Sequence, residues 1–474
     1  MRLFRFFLVL SLDSQSPLRP PSGGEEENLE GAVTPTSCSA HMRGMTSLGI
    51  DLADLGFAPV LDAPEQTPAE PVDDGRTLVV GSTLAKALYS VWSGSPITIV
   101  DSPPGAGKTT LVAQAVAYFR ERSNLKIVVA CATRRAAYDI AERIAAELGP
   151  DRDGNPQVAL SVSNMEPPIG VSRGGAATGG RNIPVVRTIA SCKTTNRPTC
   201  DLMIIDEAYQ ATFADVSSAS DEAQQILMVG DPGQIGPVVT ADVSAFRGRE
   251  TAPHMRAPEV FARMANAEIH SLDTTYRLGQ ETVDAIAPLY DFAFTSSRPD
   301  RYLTDADGDR VSEIVPFKVA EAPTFDHLDT LIEVANYAAG LIGVELVEFD
   351  TDDQPFTRQL VAADIAIVVA HNAQASGITA ILRSLKADGI YVGTADKMQG
   401  GQWHAVVAMD PFIGYTSAGS HQLSPGRLCV MASRHMTFMT WVYSDGWEEA
   451  LMDPDIDQNE AKLGRRVRIA LTAG

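Results

Sequence analysis

Between Asp101 and Leu111 the chain reads DSPPGAGKTTL, directly after the apolar run Ile97–Val100. An apolar strand ending in a Gly-rich turn, with Gly-Lys-Thr opening a helix, is a recipe for holding phosphate. Backbone N–H groups of the turn and of the helix N-terminus face the anion, and the lysine neutralises its outer charge. Pro104, Gly105, Ala106, Gly107, Lys108, Thr109 and Thr110 would line this cradle, with the Thr109 hydroxyl offered to Mg²⁺. Ser102 stands where such loops usually have their first glycine.

Two further strand ends carry polar groups suited to the same chemistry. Leu202–Ile205 is an apolar run closed by Asp206 and Glu207, and the strand is expected beside the P-loop strand. Asp206 could then join the metal shell while Glu207 polarises an attacking water. Ile226–Val229 runs into Gly230-Asp231-Pro232-Gly233-Gln234. Ligands of open α/β sheets bind at the C-terminal strand edge, where the Gln234 amide could sense a γ-phosphate or orient water. The plainer alternative there is a strand followed by a Pro-Gly turn.

These residues need a sheet to hold them. Strands are expected at Ile97–Asp101, Leu125–Cys131, Leu202–Ile205 and Ile226–Val229, with helices from the P-loop to about Arg122 and over Arg134–Leu148. Apolar strands interleaved with helices predict a parallel sheet covered on both faces. A second α/β unit without a P-loop follows, with strands at Ser312–Val319, Ile365–Ala370, Ile390–Thr394, Ala405–Met409 and Phe438–Tyr443. Helices His327–Leu341 and Gln374–Leu385 accompany them. Asp151–Thr199 is rich in Gly, Pro, Ser and Asn, and Ser161–Cys200 holds Arg173, Arg181, Arg187, Lys193 and Arg197 against the single acid Glu166. This basic segment reads either as a nucleic-acid contact or as a solvated surface loop.

Composition narrows the options. At 474 residues, 45% hydrophobic and 21% charged, the chain is sized for two or three domains of ordinary α/β type. A net charge of −22 argues against coating nucleic acid with a broad basic face, though not against one narrow basic channel. The cysteines (Cys38, Cys131, Cys192, Cys200, Cys429) lack paired CxxC spacing, so they are expected to be reduced thiols and not a zinc or disulfide framework. The opening MRLFRFFLVLSL looks like a short secretory h-region but is too short to span a bilayer, and no small-residue cleavage pattern follows. Residues 1–75 are expected to be a disordered or over-extended N-terminal stretch with an acidic tether.

The ordered motifs carry a family resemblance. After SPPGAGKT, the segments DEAYQ (Asp206–Gln210), GDPGQIGPV (Gly230–Val238) and TTYRLGQE (Thr274–Glu281) resemble motifs II, III and IV of superfamily 1 helicases. LYDFAFTSSRPDR (Leu289–Arg301) and IVVAHNAQ (Ile367–Gln374) are similar to the Upf1-like branch. GTADKMQGGQWHAVVAMD (Gly393–Asp410) resembles motif V, and GRLCVMASRH (Gly426–His435) resembles motif VI. The likeness runs from about Thr83 to Tyr443.

The resemblance implies two RecA-like P-loop NTPase domains with parallel sheets covered by helices. The first would span 76–290 with a Gly-rich basic insertion at 151–186, and the second 291–474. It implies an ATP hydrolase with ATP and Mg²⁺ between the domains, acting as a cytoplasmic helicase or translocase on single-stranded nucleic acid, DNA ahead of RNA, and without a membrane. By resemblance Gln234 contacts the γ-phosphate, Tyr276 stacks on adenine, and Arg277 and Arg434 are arginine fingers. Gln399 and Gly400 lie in the segment linking ATP to the bound strand, Gly400 against the nucleotide. Thr133, Arg134, Arg187 and Thr188 would touch the phosphodiester backbone. From the residues alone, Arg277 and Arg434 could instead form interdomain salt bridges, and Tyr276 could be core. The pattern departs from the family at Gln402, where a carboxylate is usual, and at His435, where motif VI usually has Ala or Gly. No upstream adenine-reading glutamine motif is visible in Thr83–Trp92, which leaves ATP against GTP open. The rival function is a nucleotide-gated module that clamps or remodels a partner without unwinding.

Overall fold

The computed structural model describes residues 78–174, 182–194, 199–246, 248–350 and 354–473. The proposed N-terminal extension and tether, together with Cys38, Arg181 and Arg197, lie outside them. Residues 80–474 form one compact unit.

The first sheet comprises β1 (Ile97–Asp101), β2 (Ile127–Cys131), β3 (Ala159–Leu160), β4 (Ser172–Arg173), β5 (Val185–Thr188), β6 (Cys200–Asp206), β7 (Ala223–Gly230) and β8 (Ala267–Ser271). Their order is β4-β3-β5-β2-β6-β7-β1-β8, and every pairing is parallel. The near-continuous apolar runs ITIVD and IVVAC are buried at every position, as expected of strands covered on both faces. Register brings the strand ends level: Asp101 pairs with Gly230, Cys131 with Asp206, and Cys131 with Thr188 on its other side. The phosphate-binding turn and the carboxylates of β6 therefore emerge on one edge.

Two expectations change. The β6 strand carrying Asp206 and Glu207 does not adjoin the P-loop strand, because β7 lies between β6 and β1. Chain order cannot reveal this: β7 follows β6 in sequence but enters the gap beside β1. The 151–186 segment is not only an insertion loop, since it supplies β3, β4 and the start of β5 at the sheet's edge. The basic run Ser161–Cys200 is partly neutralised, with Arg173 paired to Glu166 at 2.6 Å and Lys193 paired to Asp215.

Beyond β8 come the short parallel pair β9 (Thr274–Thr275) and β10 (Thr295–Ser296). An antiparallel group of β11 (Arg301–Leu303), β13 (Glu345–Phe349) and β14 (Pro355–Gln359) follows, which sequence patterning did not indicate. The second parallel sheet comprises β12 (Ile314–Lys318), β15 (Ile365–Val369), β16 (Tyr391–Thr394), β17 (Trp403–Met409) and β18 (His435–Tyr443), in the order β12-β18-β17-β15-β16. Side chains alternate across it. Ile365, Ile367, Val369, Ala405, Val407 and Met409 pack on one face with helices Leu328–Gly340 and Asn372–Ser384. Ala366, Val368, Val406 and Ala408 pack on the other with helix Gln458–Thr472. The fold is thus α/β with two RecA-like parallel sheets covered by helices. Leu278, Val283 and Ile286 pack in the core of the second sheet although they precede the 290/291 division expected from sequence.

Among the described residues, no helix is long and apolar enough to cross a membrane. Cys131, Cys192, Cys200 and Cys429 are buried free thiols.

Candidate functional site

The P-loop turn is shaped by Gly105 and Gly107, at φ +76° and +86°. Non-glycine residues reach this left-handed region at a cost. At Gly105 a side chain is also excluded by space, because a Cβ there would collide with Cβ of Arg277. The segment carrying Arg277 lies directly on the cradle: Thr275 Oγ1 donates to Pro104 O at 2.7 Å and the Tyr276 N–H donates to Gly105 O at 3.1 Å. Lys108 opens the helix Lys108–Arg122, followed by Thr109 and Thr110. Ser102, unexplained by sequence, is fully buried, and its N–H donates to Gly230 O at 2.9 Å, pinning the loop to the end of β7. Pro104 and Ala106 are buried beside it.

Lys108 is nearly buried, with Nζ 3.8 Å from Glu207 Oε1. Asp206 is buried at the end of β6, and its carboxyl is pushed up to about 7 by burial first and by the neighbouring Glu207 second. Glu207 sits at φ +53°, a rare conformation for a non-glycine residue, which turns its side chain out of the strand direction. A desolvated lysine beside two crowded carboxylates, under a left-handed glycine turn, suits a phosphate–divalent-cation pair in which the cation draws most ligands from phosphate and water. Among the described residues no group of three His, Cys, Asp or Glu side chains forms a self-sufficient metal cage.

Gln234 is buried, and its Nε2 donates to Asp231 Oδ2 at 2.7 Å. Its Oε1 accepts from Gln399 Nε2 at 3.2 Å, so motif III and motif V touch directly. Asp231 also accepts from the Tyr290 hydroxyl at 2.9 Å, and that hydroxyl lies 3.2 Å from Cys429 Sγ. Burial raises the Asp231 carboxyl above the usual carboxylate range. Sequence reasoning missed Asp231, Tyr290 and Cys429 as a unit; the tight turn at Gly233, into which Tyr290 packs, was the available signal.

Arg277 is half-buried. Its Nε donates to Gln402 Oε1 at 3.0 Å, giving the unusual amide at 402 a partner. Burial first, and then the charge of Arg434, lowers its pKa to about 9. Arg434 is fully buried between Val430 O, which accepts from Nε at 3.2 Å, and Ser433 Oγ, which accepts from Nη2 at 2.9 Å. Burial lowers its pKa too. Neither arginine forms an ion pair with a described residue, so the salt-bridge alternative finds no carboxylate. Tyr276 is 43% exposed beside the P-loop and is therefore not a core residue. Gly400 takes φ +88° in the turn after Gln399.

The four residues expected to touch a nucleic-acid backbone lie at two adjacent strand ends, Thr133 and Arg134 just after β2 and Arg187 and Thr188 closing β5. Thr133 and Arg134 are exposed, and Thr133 Oγ1 caps the helix Arg134–Leu148 by accepting from Ala136 N at 3.1 Å. Thr188 Oγ1 accepts from Ser191 N at 3.2 Å, and Arg187 Nη2 donates to Ser191 O at 3.3 Å. Both threonines thus cap helices locally.

Residues 86–240 match the family described as an AAA domain, about a third of the chain. No curated protein matches. Similar solved structures include the PRRSV helicase, at 17% identity and TM-score 0.40, with 75% of this chain and 54% of that chain covered. Arterivirus nonstructural protein 10 (helicase) is similar at 16% identity and TM-score 0.41, covering 80% and 64%. The same viral protein in complex with DNA gives 16% identity, TM-score 0.41, and 80% and 65%. The chain therefore spans less than two thirds of the length of each. Residues 86–240, which carry the P-loop and most of the first parallel sheet, are thus similar to an AAA domain.

Proposed function

We propose that the chain is an ATP-dependent translocase or helicase acting on single-stranded nucleic acid. The observation that supports this reading is the pair Arg277 and Arg434, held within the electrostatic reach of Glu207 and Asp231 but forming no ion pair with a carboxylate among the described residues. Burying two cations near each other is costly unless an anion neutralises them in the working state. Transferred phosphoryl oxygens are such an anion. Lys108 and the turn N–H groups would bind the phosphates, and Tyr276 would stack on the base. Thr109 and Asp206 would hold Mg²⁺, which supplies positive charge to the phosphoryl oxygens. Glu207 would take a proton from the attacking water at its carboxylate, with Gln234 orienting that water. Gln234 and Gln399 join the two sheets, so the state of the phosphates would be felt by the segment running to Gly400. We place the link between the two domains at Thr275–Leu278. Thr133, Arg134, Arg187 and Thr188 would hold the strand by its backbone, without sequence preference. DNA is the favoured substrate.

The test uses two variants and one substrate set. Lys108→Ala should abolish hydrolysis, while Glu207→Gln should retain ATP binding and turn over slowly. Near-normal turnover by Lys108→Ala, or lost binding by Glu207→Gln, contradicts these roles. Displacement of a strand from 5′- or 3′-tailed duplexes by the unaltered chain supports unwinding. Hydrolysis stimulated by single strands without displacement supports the remodelling alternative.

A further inference from the structure

The segments bearing Arg277 and Arg434 meet at a carboxylate that belongs to neither. Glu313 Oε1 accepts from Gly279 N at 2.7 Å, Thr282 Oγ1 at 2.9 Å, His435 Nε2 at 3.1 Å and Arg298 Nη1 at 3.2 Å. Gly279 lies two residues after Arg277, and His435 directly follows Arg434. The approach is too close for any side chain at 279, where a Cβ would collide with Glu313 Oε2. Glu313 also grips β18 through its main chain, its carbonyl accepting from Met439 N at 2.7 Å.

Two arginines brace the same junction from outside. Arg298 Nη1 and Arg301 Nε both donate to Met436 O at 2.9 Å, and Arg301 Nη2 donates to Arg277 O at 3.3 Å. His435 is fully buried with Nδ1 unpartnered, and its Nε2 lies 2.8 Å from Thr282 Oγ1 as well as 3.1 Å from Glu313 Oε1, so in the Nε2-protonated tautomer the two oxygens share that proton. A charged, nearly buried carboxylate that takes four donors is a strong geometric constraint, since hydrogen bonds to an ionised acceptor are about twice as strong as neutral ones. The histidine that departs from the superfamily 1 pattern is one of those donors.

We propose that Glu313 is a positioning residue that fixes Arg277 and Arg434 relative to each other, acting through Gly279 and His435. This rests on the hydrolase reading above. Glu313 touches neither arginine's guanidinium and is placed to act only through their backbones and neighbours.

The test compares ATP turnover of full-length Glu313→Gln, Arg434→Ala and the double variant. Glu313→Gln should lower kcat roughly 10- to 100-fold, the scale of misplacing a catalytic group by about 1 Å. KM should stay within about threefold, because substrate binding is not what the hub sets. Combined with Arg434→Ala it should lower kcat little further, since the residue it positions is already gone. If Glu313→Gln does not fold, Arg298→Lys keeps the charge, loses the Nη1 that spans Glu313 and Met436 O, and should show the same split of kcat from KM. Unchanged kcat in the folded variant, or a full multiplicative loss in the double variant, overturns the inference while leaving the hydrolase reading intact. No turnover by the unaltered chain overturns both.

Discussion

Two pairs of arginines sit inside the molecule and differ in what faces them. Arg298 and Arg468, within the part of the chain built on the second sheet, each meet a carboxylate: Glu313 at 3.2 Å and Asp410 at 2.7 Å. Among the described residues, Arg277 and Arg434 donate to amide, hydroxyl and carbonyl oxygens and to no carboxylate. The first pair is neutralised by the fold. The second has no such partner: burial lowers the pKa of both, and the charge of Arg434 lowers that of Arg277 further. The same side chain thus serves structure where it is paired and is available to a ligand where it is not.

The comparison can be broken from either side. Arg434→Ala should cost turnover on the order of 10³-fold, the scale of an arginine finger. Its thermal midpoint should not fall, because the substitution removes an uncompensated buried charge. Steady-state kinetics beside a melting curve checks both halves. Arg468→Ala should do the reverse. Leaving Asp410 buried without its partner should destabilise the chain by about 3–5 kcal/mol in denaturant unfolding. Turnover per folded molecule should be unchanged. If Arg468→Ala instead lost turnover without losing stability, the division between paired and unpaired arginines would be wrong.

A smaller effect sharpens the structural side. Glu313 is held down from the ordinary 4.5 to about 2, despite its burial, by the hydrogen bond and charge of His435 and by Arg298. A depressed folded pKa contributes stability that is present above the unfolded value and is lost as pH falls through the folded one. Stability should therefore drop between about pH 4.5 and pH 2, and Glu313→Gln should flatten that interval of the unfolding curve. An equally steep fall in the variant would assign the loss to other carboxylates.

The cleft's first half was legible in sequence because its residues are contiguous with strands that announce themselves. Lys108, Asp206, Glu207 and Gln234 each follow an apolar run by a few positions, and register alone brings those ends level. Arg277 and Arg434 were reached through family likeness and not through pattern, since neither ends a run that marks it. The Asp231–Tyr290–Cys429 cluster and the Glu313 hub were not legible. Their members are separated by 15 to 153 positions, and local periodicity carries no information about such pairings. The strands β13 and β14 were missed because ELVEF and PFTRQ mix charge with apolar residues, and β14 lies largely at the surface. The two-residue strands β3 and β4 are too short for any period to register.

The central claim is that phosphate chemistry in this cleft is coupled to a nucleic-acid strand held at the sheet edges. The rate of ATP hydrolysis by the full chain, measured with and without single-stranded DNA, tests it most directly. The account predicts hydrolysis that rises severalfold with the strand and disappears in Lys108→Ala. A rate indifferent to both DNA and RNA would contradict the translocase reading.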